Sequence, residues 1–349
     1  MKKTLVLSLG RTGILHIYAE KMISNFKDID YDVIISRDRI LKNKVKNAIE
    51  ISTYKDKKSF ILNTLLFFPI KFLSLIPQLY KNYDILYLPY QHLWDIPFIL
   101  LFKLLGRKVV FTVHDGVLHT GERNFIMQFL TNYRMRHSNC LIYLTQYVKR
   151  LVEERYKIIK PSHIVPLPII ENDFINIKKR NRDSKNLLFL GRIDKYKGVE
   201  MLMDSVFDIP NEFDRLIIAG KSLYTIDYLK HEKIEIKDKY LSEEEIGALL
   251  SWANVLILPY TEATQSAVIT LGVYAELPMI CTKVGGFSEQ LAEDESFWCE
   301  PNKEDLALTI KEVFKNPEKY NNIKNKLTEK KNDLSWSVIA KQIEHILLS

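Results

Sequence analysis

The stretch LFLGRIDKYKG, Leu188 to Gly198, sets three cations, Arg192, Lys195 and Lys197, between glycines at the end of an apolar run, with Arg192 and Lys197 the two of interest. A guanidinium offers a planar fork to phosphate oxygens and an ammonium a compact point charge, so the pair suits a diphosphate. Gly191 permits a tight turn where the run ends. Solvated loop cations are the plainer alternative. Further along, Thr264, Gln265 and Ser266 precede an apolar, helix-like run, Ala267 to Ala275. Ser266 suits an N-cap, and a helix start presents unsatisfied N–H groups and the positive dipole end to an anion. Gln265 has no capping advantage and has polar groups for a ligand.

Two further stretches could do chemistry. In VVFTVHDGVLHTGE, Val109 to Glu122, a strand delivers His114 and Asp115 to its end, and His119 and Glu122 follow in a glycine-containing loop. The spacing matches no zinc motif, so no metal is expected. A hydrogen-bonding or acid–base role fits better, and a structural turn is the alternative. SLGRTG, Ser8 to Gly13, reads as strand, glycine turn and helix. It is not GxGxxG and has no convincing acidic partner downstream, so dinucleotide binding is weakly supported. Close approach of backbone to a substrate at Gly10, Arg11 and Gly13 is the modest alternative.

Strand-like and helical patterns must position these residues. Strands read at Thr4–Ser8, Val33–Ser36, from Asp84, Lys108–Val113, Leu141–Thr145 and from His163, with helices at Leu15–Phe26, Ile96–Leu105, Ile126–Arg136 and Tyr147–Tyr156. KKRNRDSK, Lys178 to Lys185, lacks apolar residues and reads as an exposed linker. The alternation then resumes through Asn186–Leu190, Val199–Phe207, Leu216–Ala219, Glu243–Ser251, Val255–Leu258 and Met279–Thr282. This is the βαβα order of parallel sheets covered on both faces, in two halves with a ligand cleft expected between them at the strand ends.

At 349 residues, two domains are expected. The net charge of +7 suits nucleic acid, an anionic membrane face or phosphorylated small molecules. No nucleic-acid-binding pattern appears, so nucleic acid is not expected as a partner. Three widely spaced cysteines fit a reducing compartment, and the N-terminus is too short in apolar residues for a signal segment, so the cytoplasm is favoured. Ser59 to Tyr80 is the most membrane-like segment. Lys71 and two prolines are expected to interrupt it, giving helices packed in a domain; the other reading is an interfacial patch with Lys57, Lys58 and Lys71 near anionic head groups.

The glycine-rich loop, the HD after a strand, GRIDKYKG, and PY…TQS…GVYAELPMICTKVGGFSE stand in the order found in glycosyltransferase family 4, which the chain resembles over nearly its whole length and most specifically from Leu188 to Glu289. The resemblance implies a retaining enzyme of GT-B fold, α/β, with two Rossmann-like doubly wound parallel-sheet domains facing across a cleft. It implies an acceptor-side domain at 1–175, a donor domain at 176–332 and a helix at 333–349 crossing back to the first. The activity implied is transfer of a sugar from a nucleotide-diphosphate sugar to a glycan or lipid-linked acceptor, with no metal cofactor. Arg192 and Lys197 would neutralise the leaving diphosphate and His114 would touch the donor sugar. Tyr240 and Leu241 would contact the base. Gly10 and Gly13 would border the phosphates and Glu289 matches the GGxxE loop. Arg11, Asp115, His119 and Glu122 would lie on the acceptor side.

Counting from Pro259, the family's two glutamates fall on Ala263 and Leu271. Glu262, one place early, is either a substitute or a solvated loop residue. The ATQS version resembles a branch found among cell-surface polysaccharide transferases, in which Gln265 and Ser266 take over polar contacts. The implied enzyme works in the cytoplasm at the inner membrane face, with peripheral membrane contact. The alternative is a catalytically inactive, transferase-like binding subunit.

Overall fold

The computed structural model describes residues 2–11, 13–39, 45–114, 116–117, 125–181, 183–226 and 231–349. The chain forms two units, Met1–Pro166 with Trp336–Ser349, and Leu167–Ser335. In the first, β1 (Lys3–Ser8), β2 (Asp30–Ser36), β3 (Ala48–Ile51), β4 (Ile85–Leu88), β5 (Lys108–Val113), β6 (Cys140–Tyr143) and β7 (Ser162–Ile164) form one sheet in the order β3-β2-β1-β4-β5-β6-β7. Its helices are α1 (Ile14–Ser24), α2 (Lys57–Leu62), α3 (Phe68–Asn82), α4 (Ile96–Leu104), α5 (Phe125–His137) and α6 (Gln146–Tyr156). In the second unit, β8 (Asn186–Leu190), β9 (Arg215–Ala219), β10 (Ile234–Lys237), β11 (Val255–Leu258), β12 (Met279–Thr282) and β13 (Phe297–Cys299) run in the order β10-β9-β8-β11-β12-β13. Helices α7 (Val199–Phe207), α8 (Glu243–Trp252), α9 (Ala267–Tyr274), α10 (Phe287–Gln290), α11 (Lys303–Lys315) and α12 (Pro317–Asp333) accompany them, and α13 (Trp336–Leu348) ends the chain. Every strand pairing in both sheets is parallel.

Right-handed crossovers decide which face each helix covers. In the first unit the chain steps from β1 to β3 in one direction, then crosses back to β4 and proceeds to β7 in the other. Helices α3 to α6 therefore share one face. There Phe68, Leu75, Leu79, Phe98, Phe102, Met135, Val148 and Val152 close a core over Leu5, Leu86, Phe111 and Leu141. On α1, Tyr18 meets Trp336 of α13 at 5.8 Å between ring centroids. The Glu344 carboxylate on α13 accepts the backbone N–H groups of Lys27 and Asp28 at 2.5 and 2.7 Å. The Lys108 ammonium donates to the Ile346 carbonyl at 2.8 Å, opposite in charge to a helix C-terminus. The last helix is thus part of the first unit by specific polar contacts.

Three strands that the alternation did not reveal, β3, β10 and β13, stand at sheet edges. An edge strand is covered on fewer sides, so its sequence needs no continuous apolar run. AIEI and IEIK carry charges for this reason. The expected exposed linker is also corrected in part. Arg180 is half-buried, and its guanidinium donates to the carbonyls of Leu250, Ala275 and Glu276 at 3.0, 3.1 and 3.3 Å. It ties the entry to the second unit onto α8 and α9.

The expected interruption of Ser59–Tyr80 does not occur. Lys58–Asn82 is one 25-residue helix, and only 11% of its most apolar window is buried. A π-turn over Asn63–Phe67 precedes Pro69, which sits at the start of α3, where a missing N–H costs least. The Asn63 amide donates to the Thr53 carbonyl and Thr64 accepts from the Trp94 indole at 2.9 Å, holding the turn in place.

A buried ion pair fixes the segment before α4. Arg134 Nε reaches both oxygens of Asp95 at 2.9 and 2.8 Å, and its Nη2 donates to the His92 carbonyl at 2.8 Å. Burial, with the Arg134 charge adding to it, pushes the His92 imidazole down to about 3. The folded value lies below the unfolded one, so this contribution to stability is complete above about pH 6.5 and is lost as the pH falls toward the folded value. His92 keeps some exposed area, which tempers the effect. We expect His92 to account for about 1–2 kcal/mol of the stability lost between pH 7 and pH 5. Urea denaturation of the native chain and His92→Asn at both pH values checks this: the variant should lose that much less.

Candidate functional site

Loops at the C-terminal ends of β8, β9 and β11 assemble the second unit's site. Gly191 follows β8 with φ +129, and its N–H donates to the Ala219 carbonyl at 3.0 Å. Gly220, with φ +149, leaves so little room that a Cβ there would fall 1.9 Å from the Gly191 carbonyl oxygen. The loops after β8 and β9 therefore run in backbone contact. Asp194 accepts the Lys195 N–H and starts a 3-10 turn, Lys195–Lys197. That turn ends on Gly198 with φ +68, where a Cβ would lie 1.8 Å from the Pro259 carbonyl oxygen.

This second close approach joins the two cation- and cap-bearing loops. The Thr261 N–H donates to the Tyr196 carbonyl at 2.8 Å. Lys197 Nζ lies 3.7 Å from the centroid of the Tyr260 ring, and Tyr196 meets Tyr260 edge-on at 6.3 Å. An ammonium over an aromatic face is attracted by the ring quadrupole, so Lys197 is aimed as well as charged. Burial drives the Tyr260 hydroxyl well above its ordinary range, and Arg192 is near enough to pull the other way. Tyr260 thus stays neutral beside two cations. Arg192 is exposed and Lys197 half-buried.

Ser266 caps α9, accepting the Val268 N–H at 3.2 Å. Gln290 holds the cap from both sides: its carbonyl oxygen accepts the Ser266 N–H at 2.6 Å and its amide donates to the Ser266 carbonyl at 3.2 Å. The Ser266 hydroxyl also lies 3.4 Å from that of Tyr260. Thr264 is buried beside it and Gln265 half-buried. The start of α9 is therefore rigid, with its dipole and N–H groups aimed at the same strand ends as Lys197. Ala263 and Leu271 are both buried, while Glu262 and Glu289 are exposed. The Ala263 carbonyl accepts the Gly286 N–H at 3.1 Å, fastening the GG loop here. Tyr240 and Leu241 lie in the loop leading into α8, with Tyr240 largely exposed.

In the first unit, His114 stands at the end of β5, its Nε2 2.9 Å from the Pro89 carbonyl and its ring edge-on to Tyr18 at 4.8 Å. Bonding to a carbonyl requires a proton on Nε2 and leaves Nδ1 the acceptor in the neutral ring. The Gly10 N–H donates to the Tyr90 hydroxyl at 2.7 Å, and a Cβ on Gly10 would meet that oxygen at 2.9 Å. Gly13 precedes α1 with φ +90. Arg11 donates to the carbonyls of Asp38 and Lys55 at 3.0 and 2.7 Å and lies over Tyr54, so it braces neighbouring loops. Asp115, His119 and Glu122 lie outside the described residues. Among the described residues, no three His, Cys, Asp or Glu side chains gather as a metal site.

Sequence reasoning missed Gln290, Tyr90 and Gly220 as parts of these sites. Gly220 had a usable signal, a glycine directly after a strand. Nothing local marked Gln290, because its partner lies 24 residues away.

Residues 171–330, within the second unit, match the family model Glycosyl transferases group 1. An uncharacterized glycosyltransferase of Methanocaldococcus jannaschii is 23% identical over 323 residues, 88% of this chain and 86% of that protein. Sucrose-phosphate synthase from Thermosynechococcus elongatus superposes with a TM-score of 0.75 at 14% identity, over 99% of this chain and 98% of its own. Anabaena HepE in complex with UDP-glucose superposes with a TM-score of 0.72 at 13% identity, over the whole of both chains. The fold is two Rossmann-like parallel-sheet domains of the GT-B type.

The Gly198–Pro259 contact yields a test. Gly198→Ala places a methyl against a backbone carbonyl in a left-handed conformation, which should cost about 1–3 kcal/mol. A lowered thermal midpoint checks it; an unchanged midpoint would show that the two loops are not held by this contact.

Proposed function

We propose that the protein is a glycosyltransferase that moves a sugar from a nucleotide-diphosphate sugar to a glycan or lipid-linked acceptor, with retention, in cell-surface polysaccharide synthesis at the inner face of the membrane. The observation that carries this is the convergence of Arg192, the Tyr260-bound Lys197 and the start of α9 on the strand ends of a glycosyltransferase group 1 domain. Departure of the nucleotide develops negative charge on the diphosphate. Two fixed cations and a helix dipole stabilise that charge without a metal ion. The UDP-glucose in the HepE complex is a donor of the proposed class.

His114, held by Pro89 and Tyr18, is assigned to the donor sugar. Gln265, Thr264 and the backbone of the GG loop take the polar contacts that carboxylates at positions 263 and 271 would make. Glu262 is assigned to the exposed rim with Glu289, and Tyr240 and Leu241 to the base.

One observation favours a second reading, an inactive transferase-like subunit: apolar, buried side chains occupy positions 263 and 271. Nucleotide release separates the two. Incubation with uridine and guanosine diphosphate sugars should give saturable binding and slow release of nucleotide. Arg192→Ala and Lys197→Ala should each lower that rate by about 10²–10³. Binding without turnover by any donor would favour the inactive subunit, and no binding at all would overturn both.

A further inference from the structure

The helix Lys58–Asn82 is apolar on two opposite sides, and only one of them is covered. Inward, Phe68 stacks on Trp94 at 4.4 Å, Phe72 meets Phe98 edge-on at 5.0 Å, and Leu75 and Leu79 are buried in the core beneath the sheet. Outward, Ile61, Leu62, Leu65, Leu66, Ile70 and Leu73 are each between 51% and 69% exposed. Their spacing follows one side of a helix. A helix that is apolar all round belongs inside a protein or against lipid, and the outer side of this one is exposed among the described residues.

Its charges are of one sign. Lys58, Lys71 and Lys81 lie within the helix, and no Asp or Glu occurs between Lys58 and Asn82. At the C-terminal end Arg107 donates to the Leu79 carbonyl at 2.6 Å and lies 5.9 Å from the exposed Tyr80 ring. Within the helix the only charged residues among the apolar side chains are lysines, the nearest carboxylates being Asp56 at its N-cap and Asp84 beyond its C-terminal end. With a tyrosine at the margin this matches an anionic lipid interface, where lysines extend along apolar stems to reach head groups. Neighbouring helices also carry exposed apolar side chains. Helix α5 is fastened to the segment before α4 through Arg134 and Asp95, and α3 through Trp94. Leu104 on α4 and Phe125 and Phe129 at the start of α5 are exposed as well. Three adjacent helices with outward apolar side chains suit a plane better than a single peptide.

We infer that the outward side of α2 and α3 is a docking surface for an anionic phospholipid leaflet, with the helix lying in the interface. The helix is long and apolar enough to cross a membrane. Crossing would withdraw Phe68, Leu75 and Leu79 from the core and break the Thr64–Trp94 hydrogen bond, so the folded unit binds flat. This surface is independent of the donor site, and its test needs no catalysis.

The full chain should sediment with vesicles of phosphatidylcholine and phosphatidylglycerol, weakly with phosphatidylcholine alone, and less in high salt. Leu65→Asp with Ile70→Asp should lower the partition coefficient about tenfold or more while leaving the melting transition in place. Lys58→Gln with Lys71→Gln should lessen the preference for phosphatidylglycerol. The native cysteines are buried, so Leu65→Cys accepts an environment-sensitive fluorophore whose emission should shift to the blue on those vesicles. Absence of that shift overturns the inference. Equal vesicle binding by the aspartate pair overturns it too, as does an oligomer that the pair dissociates without change in vesicle binding, since the surface would then join copies of the chain.

Discussion

The loop architecture of the second unit depends on one backbone contact, the approach of Gly198 to the Pro259 carbonyl. A Cβ would fall 1.8 Å from that oxygen, so the approach requires a residue without one. It brings a loop that follows β8 against one that follows β11, though 61 residues separate them in sequence. Because of it, Tyr260 lies under Lys197, Tyr196 accepts from Thr261, and the start of α9 faces the same strand ends as Arg192. Gln290 completes the arrangement by fixing the Ser266 backbone. Rigid placement of positive charge and helix dipole costs little reorganisation when an anion develops, and that is the physical basis of the proposed activity.

Much of this was legible in the sequence because it rests on local signals. Interior strands such as Lys108–Val113 and Asn186–Leu190 are covered on both faces and read as unbroken apolar runs. Arg192, Lys197 and Ser266 stood out because their residue types fit one chemistry at short spacing. Contacts made across the sheet left weaker traces. Gly198 could be read as a turn residue, whereas its close approach to Pro259 could not. Arg180 looked like one charge in a solvated run and instead binds three carbonyls inside the second unit. The edge strands AIEI and IEIK are short and carry charged residues, so their periodicity carries little signal.

Two substitutions of type change how the site must work. Ala263 and Leu271, where the resemblance to family 4 leads one to expect carboxylates, are buried apolar side chains and offer no hydrogen-bond acceptor. In the first unit, Arg11, Gly10 and His114 all have protein partners: Asp38 and Lys55, Tyr90, and Pro89 with Tyr18. The outer surface of the same unit carries an exposed apolar stripe among cations, consistent in sign with the +7 charge of the whole chain.

The central claim is that Arg192, Lys197 and the start of α9 hold the diphosphate of a nucleotide sugar. A crystal structure of the chain with a bound nucleotide diphosphate tests it most directly. The account predicts phosphate oxygens within hydrogen-bond reach of Arg192 and Lys197 and in front of the α9 N-terminus. A diphosphate bound elsewhere, with those two side chains untouched, would contradict it.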